Sequence, residues 1–286
     1  MERADYETSA GRNTNDHHSG RPGQCPHYRP RRIMARVSGL EPMERSIMTL
    51  AIDTSTAVLK LGYLNERGLL AWSAAHPSRT HAEQILPEME ALLTRAGTAL
   101  NEVNLIAVNA GPGSFTGLRI GIATAKGLSA ALGIPLVLVP GLDAAGQAWS
   151  KENGIVVPLI DARKHRLYCA RYHRGSRIGD WMDIDLQALL DVLGTKEEVH
   201  FCGPDRDIAE SICLEHPGWS VLPEDPEREI TALAQLGLLL YKEKGPADES
   251  AGPIYLRDPD IGGGHQSSSR SSAESAARPS LKPSNP

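Results

Sequence analysis

Ala110-Gly-Pro-Gly-Ser-Phe-Thr-Gly-Leu-Arg-Ile-Gly-Ile-Ala-Thr-Ala-Lys-Gly-Leu128 joins an apolar run at residues 105–110 to a glycine-rich turn and then to a segment of small residues at helical spacing. Such a strand–turn–helix unit brings backbone N–H groups together at a helix N-terminus, where the dipole favours an anion. The helix behind the turn carries Gly117, Gly121 and Gly127, each costing about 1 kcal/mol relative to Ala in a helix interior. Three such residues imply that something approaches this backbone closely. A phosphate at the turn and another protein on the helix are both open readings at this point.

The familiar phosphate-loop patterns do not fit. A Walker loop needs Lys then Ser/Thr directly after its second Gly. The dinucleotide pattern needs a Gly where Thr116 stands. A nucleophile elbow needs Ser between two glycines, where Phe115 stands. A turn whose glycines serve packing alone remains an equal reading. The later Gly262-Gly263-Gly264 run is followed by no helical pattern and is set aside.

Outward from this stretch the chain reads as α/β. Residues 47–52 form a buried strand ending in the turn Asp53-Thr54-Ser55-Thr56. Residues 58–64 and 69–73 alternate around Asn65-Glu-Arg-Gly68, as an antiparallel hairpin does. Thr80 and Glu83 make a capping box for a helix to Ala96, with Ile85, Leu86, Met89, Leu92 and Leu93 on its apolar face. Gly97 follows at C′, and Pro87 predicts a kink. The helix over 116–132 and a strand at 136–139 complete the series. A second, weaker series follows: strands at 155–160, 167–172 and 199–202, and helices near 186–193, 205–215 and 230–242. Strand, strand, strand, helix, strand, helix, strand read once clearly and once in degraded form predicts two related lobes with mixed sheets, at 48–150 and 151–258. Residues 1–47 show no apolar periodicity, and residues 259–286 hold eight serines. Both read as disordered extensions, with Met48 a candidate start.

Composition narrows function. A net charge of −5 gives no global pull toward nucleic acid or membrane. No apolar run reaches the roughly 18 residues of a membrane span, and no apolar region follows Arg31-Arg32 to make an export signal. The four cysteines (Cys25, Cys169, Cys202 and Cys213) lack CxxC spacing, so a reducing, cytoplasmic setting without zinc is expected. No histidine pair has ligand spacing on a predicted helix, and there is no His-Glu-x-x-His, which argues against a metal site and against a metalloprotease. The basic run Arg163, Lys164, Arg166, Arg171, Arg174 and Arg177 suits a charged hairpin edge, or contact with RNA phosphates.

Leu50-Ala-Ile-Asp-Thr-Ser-Thr56, Gly111-Pro-Gly-Ser-Phe-Thr-Gly-Leu-Arg-Ile-Gly121, Asp161-Ala-Arg163 with Tyr168, and Pro253-Ile-Tyr-Leu-Arg257 together resemble the TsaB (formerly YeaZ) family over residues 48–258. The resemblance implies an actin-like (ASKHA, ribonuclease H-like) fold and a place in the bacterial machinery that installs threonylcarbamoyl on N6 of adenosine in ANN-decoding tRNAs. It implies TsaD, a catalytic paralogue, as heterodimer partner and TsaE, an ATPase, as a further one. TsaC-type enzymes supply threonylcarbamoyl-AMP, and tRNA engages through the complex. ATP and metal belong to those partners, and this chain is expected to hold no cofactor of its own.

In the paralogue a His-x-x-x-His pair follows the strand equivalent to 136–139. Here that place reads Pro140-Gly-Leu-Asp-Ala-Ala145. A non-catalytic scaffold subunit is therefore expected. Asp53, Thr54, Ser55, Gly111, Gly113 and Ser114 are read as a vestigial phosphate loop. Ile85, Met89, Gly117, Arg119, Gly121, Thr124 and Ala125 are the expected partner-binding residues, because Gly117, Gly121 and Ala125 share one helical stripe on which a partner helix could pack closely. On this reading Gly117→Leu or Gly121→Leu spares folding and abolishes heterodimerisation. Arg163 and Lys164 are expected contacts for tRNA or TsaE, and a homodimer of the isolated chain is plausible. The competing reading is an active ASKHA phosphotransferase that uses Asp53 and the Thr54–Thr56 turn.

Overall fold

The computed structural model describes residues 46–76, 80–194 and 198–257. The two extensions expected at 1–47 and 259–286, apart from residues 46 and 47, lie outside the described residues, as does Cys25. The first series builds β1 (Thr49–Asp53), β2 (Leu59–Asn65), β3 (Gly68–Ala75), α1 (His81–Arg95), β4 (Leu105–Gly111), α2 (Phe115–Leu132), β5 (Leu136–Pro140) and α3 (Gly141–Ala148). The second builds β6 (Ile155–Asp161), β7 (Leu167–His173), β8 (Ser176–Ile184), α4 (Leu186–Leu193), β9 (Val199–Cys202), α5 (Glu210–Cys213, after a short 3₁₀ turn), β10 (Trp219–Val221) and α6 (Pro226–Lys244).

Each series forms a five-stranded sheet, ordered β3-β2-β1-β4-β5 and β10-β9-β6-β7-β8. Numbered from its own first strand, each sheet has the same 3-2-1-4-5 order. The first three strands are antiparallel and the last two run parallel to the first. The degraded repeat of the sequence is thus a true duplication of topology.

Period-2 alternation decides the layering of the first sheet. Leu50, Ile52, Leu59, Leu61, Ile106 and Val108 face α1 and α2, which contribute Ile85, Met89, Leu92, Ile122 and Ala125 to the same core. The opposite face presents a row of small residues across three strands, since Gly62 pairs with Ala51 and Ala51 with Ala107. α6 settles into this shallow groove. A Cβ at Gly237 would lie 2.5 Å from the Ala107 Cβ, and one at Gly62 would lie 3.0 Å from Ile230. The boundary expected at residue 150 is corrected here: α6, last in the second series, packs on the first sheet because that face would otherwise be bare.

α3 was not expected, and it lies between the lobes. Leu142 and Trp149 pack with Val156, Ala170, Tyr172 and Cys202 of the second sheet. Gly146 leaves the room that the Tyr172 ring fills. Asp143 accepts hydrogen bonds from Tyr172 Oη at 2.6 Å, Trp181 Nε1 at 3.0 Å and Arg177 at 3.2 Å. α1 runs through Pro87 without ending. At its start the Glu83 carboxylate accepts from the Thr80 N–H at 2.9 Å, and Gly97 follows it at φ +68.

Candidate functional site in the interlobe cleft

A cleft of about 1030 Å³ is lined by the turns after β1 and β4, the β6–β7 hairpin and the segment after α6. Beneath the cleft-lining residues Ser55 and Lys60 lies the buried Asp53, the last residue of β1. Asp53 Oδ1 accepts from the Ser55 N–H (2.9 Å), Ser55 Oγ (2.6 Å) and Asn109 Nδ2 (3.0 Å), so the two adjacent strand ends are tied together. Its other oxygen, Oδ2, lies 3.3 Å from Lys60 Nζ, which also donates to Glu229 Oε2 at 2.6 Å. Burial opposes ionisation of Asp53, but Lys60 and the Ser55 hydrogen bonds outweigh it and hold the carboxyl below its ordinary value. Lys60 is likewise burdened by burial, yet its two carboxylates hold its ammonium above the ordinary lysine value.

The glycine-rich turn closes against this floor. The Ser114 N–H donates to the Ser55 carbonyl at 2.8 Å. A Cβ at Gly113 would lie 2.6 Å from that same oxygen. Ser114 caps α2 by accepting from the Gly117 N–H at 3.2 Å. Thr54 Oγ1 donates to the Gly117 carbonyl at 2.8 Å, and Gly111, at φ +101, makes the turn itself. The six residues read as a phosphate loop are therefore brought together, with the side chains of Asp53, Thr54, Ser55 and Ser114 bonded within the set or to Asn109, Lys60 and Gly117.

The glycine stripe is corrected. Gly117, Gly121 and Ala125 point inward, and a side chain at either glycine would run into Thr54. What approaches the helix so closely is the β1–β2 turn of the same chain. Ile85 and Met89 are also core residues. Of the expected partner-binding set, Arg119 is exposed and Thr124 half-buried. The outward side of α2 carries a different small stripe, Ala123, Gly127 and Ala131, all exposed, with open space around Gly127. The folding tolerance expected for Gly117→Leu falls with the stripe.

At the rim, Arg163, Lys164 and His165 take three consecutive left-handed backbone conformations, with φ of 63, 56 and 59. Arg163 pairs with Asp161 at 3.1 Å. Such conformations cost about 1–3 kcal/mol each and persist where surrounding structure imposes them. Opposite, the segment after α6 crosses from lobe to lobe. The Ile254 N–H donates to the Ala110 carbonyl at 2.7 Å. Tyr255 packs 5.2 Å from Phe115, and Arg119 lies 3.7 Å from the Phe115 ring centre. Arg257 grips Asp183 through two bonds, at 2.8 and 3.0 Å. Among the described residues no group of three or more His, Cys, Asp or Glu is placed to hold a metal ion.

Sequence reasoning missed Lys60, Asn109, Glu229 and Asp143. The signal for Lys60 was present: a lone lysine inside Leu59-Lys-Leu-Gly-Tyr, a strand whose neighbours are all buried, must find a carboxylate.

Two 3-2-1-4-5 sheets whose strand-end turns line one cleft define a protein of the actin-like (ASKHA) class. A family model described as TsaD, tRNA N6-adenosine threonylcarbamoyltransferase, matches residues 75–209. The Escherichia coli TsaB protein of tRNA threonylcarbamoyladenosine biosynthesis is 38% identical over 225 residues, 73% of this chain and 94% of that one. The structure of YeaZ from Pseudomonas aeruginosa aligns over 73% of this chain and all of its own, at TM-score 0.60 and 28% identity. A Mycobacterium leprae protein is 35% identical over 190 residues; the match takes in 62% of this chain and about half, 52%, of that protein's length. The chain belongs to the TsaB family of tRNA threonylcarbamoyladenosine biosynthesis.

Proposed function

We propose that this chain is a non-catalytic scaffold subunit that binds and activates its catalytic paralogue TsaD, with TsaE as a further partner, for transfer of threonylcarbamoyl to tRNA. The observation that carries this reading is the direct Ser114 N–H to Ser55 carbonyl bond across the cleft floor. A phosphate held between these two turns would need the room and the donor that this bond consumes. Asp53, the residue placed for a metal or nucleotide, is saturated by Ser55, Asn109 and Lys60. A nucleotide with its divalent ion does not fit residues arranged in this way. Where the paralogue carries its histidine pair, α3 instead holds Asp143, engaged with the second lobe.

The partner surface is the outward side of α1 and α2. Leu86 stands 55% exposed on α1, and Ala123, Gly127 and Ala131 recur every four residues on α2, so a partner helix can approach the backbone. The same face would serve a homodimer of the isolated chain. Arg119 marks its edge, and Arg163 and Lys164, which line the cleft, are the contacts we propose for tRNA or TsaE. Among the described residues no helix is long and apolar enough to cross a membrane, and the proposed work on tRNA puts the chain in the cytoplasm.

Reconstitution tests the proposal. TsaD, TsaE and a TsaC-type enzyme should modify tRNA with this chain and fail without it. Modification independent of the chain, or ATP turnover by the chain alone, overturns the reading. Gly127→Arg, on the outward stripe, should not lower the melting temperature and should abolish co-purification with TsaD.

A further inference from the structure

The cleft floor carries a cation of its own. Lys60 Nζ sits 2.6 Å from Glu229 Oε2 and 3.3 Å from Asp53 Oδ2, with side-chain exposures of 9% for Lys60, 19% for Glu229 and 9% for Asp53. Asp53 Oδ1 is already taken by three donors, so Oδ2 is the oxygen left to meet a cation, and Lys60 meets it. The ammonium rises from β2, where Lys60 stands directly opposite Asp53 of β1 in the antiparallel register. It lines the cleft together with Glu229 from the start of α6. A divalent ion on the same oxygens would lie within a few ångströms of the ammonium, and like charges so close in a poorly hydrated site repel strongly. The two cannot share the place.

We propose that Lys60 is a built-in replacement for a divalent cation: its ammonium fills the cation position at the cleft floor and joins β1 to α6. The chain then keeps the geometry of its first lobe without taking a metal ion from solution, and removal of the ammonium exposes a latent divalent-cation site made by Asp53 and Glu229. The inference deepens the non-catalytic reading above. It rests on that reading only for why a cation once belonged there. Its test reads cation binding, whereas the scaffold role is read by tRNA modification, so the two fail separately.

The full chain is compared as wild type, as Lys60→Ala, and as the neutral triple variant Asp53→Asn, Lys60→Met, Glu229→Gln. Melting is followed at neutral pH in EDTA, in millimolar Mg²⁺ or Mn²⁺, and in ethylammonium, which can refill the hole left by the lysine side chain. Bound Mn²⁺ is read directly by electron paramagnetic resonance. The wild type should bind no Mn²⁺ and melt at one temperature in every condition. Lys60→Ala in EDTA should melt about 10 °C lower, as expected when a buried ion pair loses one partner. It should recover most of that loss in Mn²⁺ or ethylammonium and should bind Mn²⁺. The triple variant should respond to neither. If Lys60→Ala does not fold in EDTA, its refolding on addition of Mn²⁺ or ethylammonium is the expected result. Mn²⁺ binding by the wild type, or a Lys60→Ala protein that neither cation restores, overturns the proposal.

Discussion

Gly117→Ala and Gly127→Ala place the same methyl group on the same helix, and the structure requires opposite outcomes. At Gly117 the new Cβ falls well under 3.0 Å from the Thr54 carbonyl oxygen, with Thr54 C at 3.2 Å and Ser114 Cβ at 3.3 Å. None of these is the flexible end of a side chain. Thr54 is buried in the β1–β2 turn and donates its hydroxyl to the Gly117 carbonyl at 2.8 Å. The turn must move away from α2 and that bond must stretch or break. Overpacking costs about 1–3 kcal/mol, and the lost hydrogen bond about 1 kcal/mol. The better helix propensity of alanine returns about 1 kcal/mol. The net loss is about 2 kcal/mol, or roughly 4–8 °C in melting temperature for a domain of this size.

At Gly127 nothing lies within 4 Å of the added carbon. Only the propensity gain remains, about 0.5–1 kcal/mol, or roughly 1–4 °C upward. Thermal and urea unfolding of the two variants beside the wild type measures both signs in one experiment. A Gly117→Ala protein as stable as the wild type would refute the claim that the inner stripe exists for the close approach of Thr54. The stripe would then again be a candidate partner surface.

Three further outcomes follow from the lobe contacts. Asp143→Ala strands the donors Tyr172 Oη, Trp181 Nε1 and Arg177, and should cost about 2–3 kcal/mol with a shift in Trp181 fluorescence; an unchanged melt would remove α3 as a connection between the lobes. Burial opposes ionisation of Asp183, but hydrogen bonds from Arg257 and Arg166 outweigh it and hold the carboxyl below its ordinary value. Its stabilisation is therefore present above the unfolded pKa of about 3.9 and is lost as the pH falls through the folded value, so Asp183→Asn should lower stability at neutral pH and flatten the acid limb below about pH 5. An acid limb identical to wild type refutes this. Burial pushes the Cys169 thiol up to about 12 and that of Cys202 higher still. Peptide mapping after thiol labelling at mildly alkaline pH should find both unmodified in the folded chain and reactive in urea, whereas labelling at equal rates in both states would contradict their burial.

Elements whose cause is local were legible in the sequence. The first hairpin has its turn and its alternation, α1 has Thr80 and Glu83, and α2 has its turn and length. α3 was not legible, because its two glycines lower the helical signal and both answer to distant partners. Gly146 makes room for Tyr172, and Gly141 leaves space for Asn109 Oδ1, which a Cβ would approach to 2.6 Å. β8 escaped notice because its Ser-Arg-Ile-Gly-Asp start lies at a sheet edge and is exposed on both sides, so no period-2 pattern is imposed. The glycine stripe announced a close approach truly, but periodicity names the face of a helix and never the identity of its neighbour. Lys60 shows the converse: its burial demanded a carboxylate, yet Glu229, 169 positions away, is paired with it only by the packing of α6 under the first sheet.

On the non-catalytic reading proposed above, nucleotide chemistry would not come to the cleft by a single substitution. Freeing Asp53 for a metal requires removing Lys60, which also leaves Glu229 without its cation and costs several kcal/mol until another cation fills the place, as when a buried pair is broken. Opening the turns for a phosphate requires breaking the Ser114 to Ser55 bond, which also holds the first turn of α2. A histidine at Gly141 would press on Asn109, whose amide donates both to Asp53 and to Ser55 Oγ, at 3.0 Å each. Each polar atom at the floor is supported by another that would have to change with it. The interactions that stabilise the lobe are the same ones that a metal on Asp53 or a phosphate between the two turns would have to break. On the scaffold reading proposed above, drift that improved the fold would have closed the site further, and selection on the proposed docking face would not have opposed it.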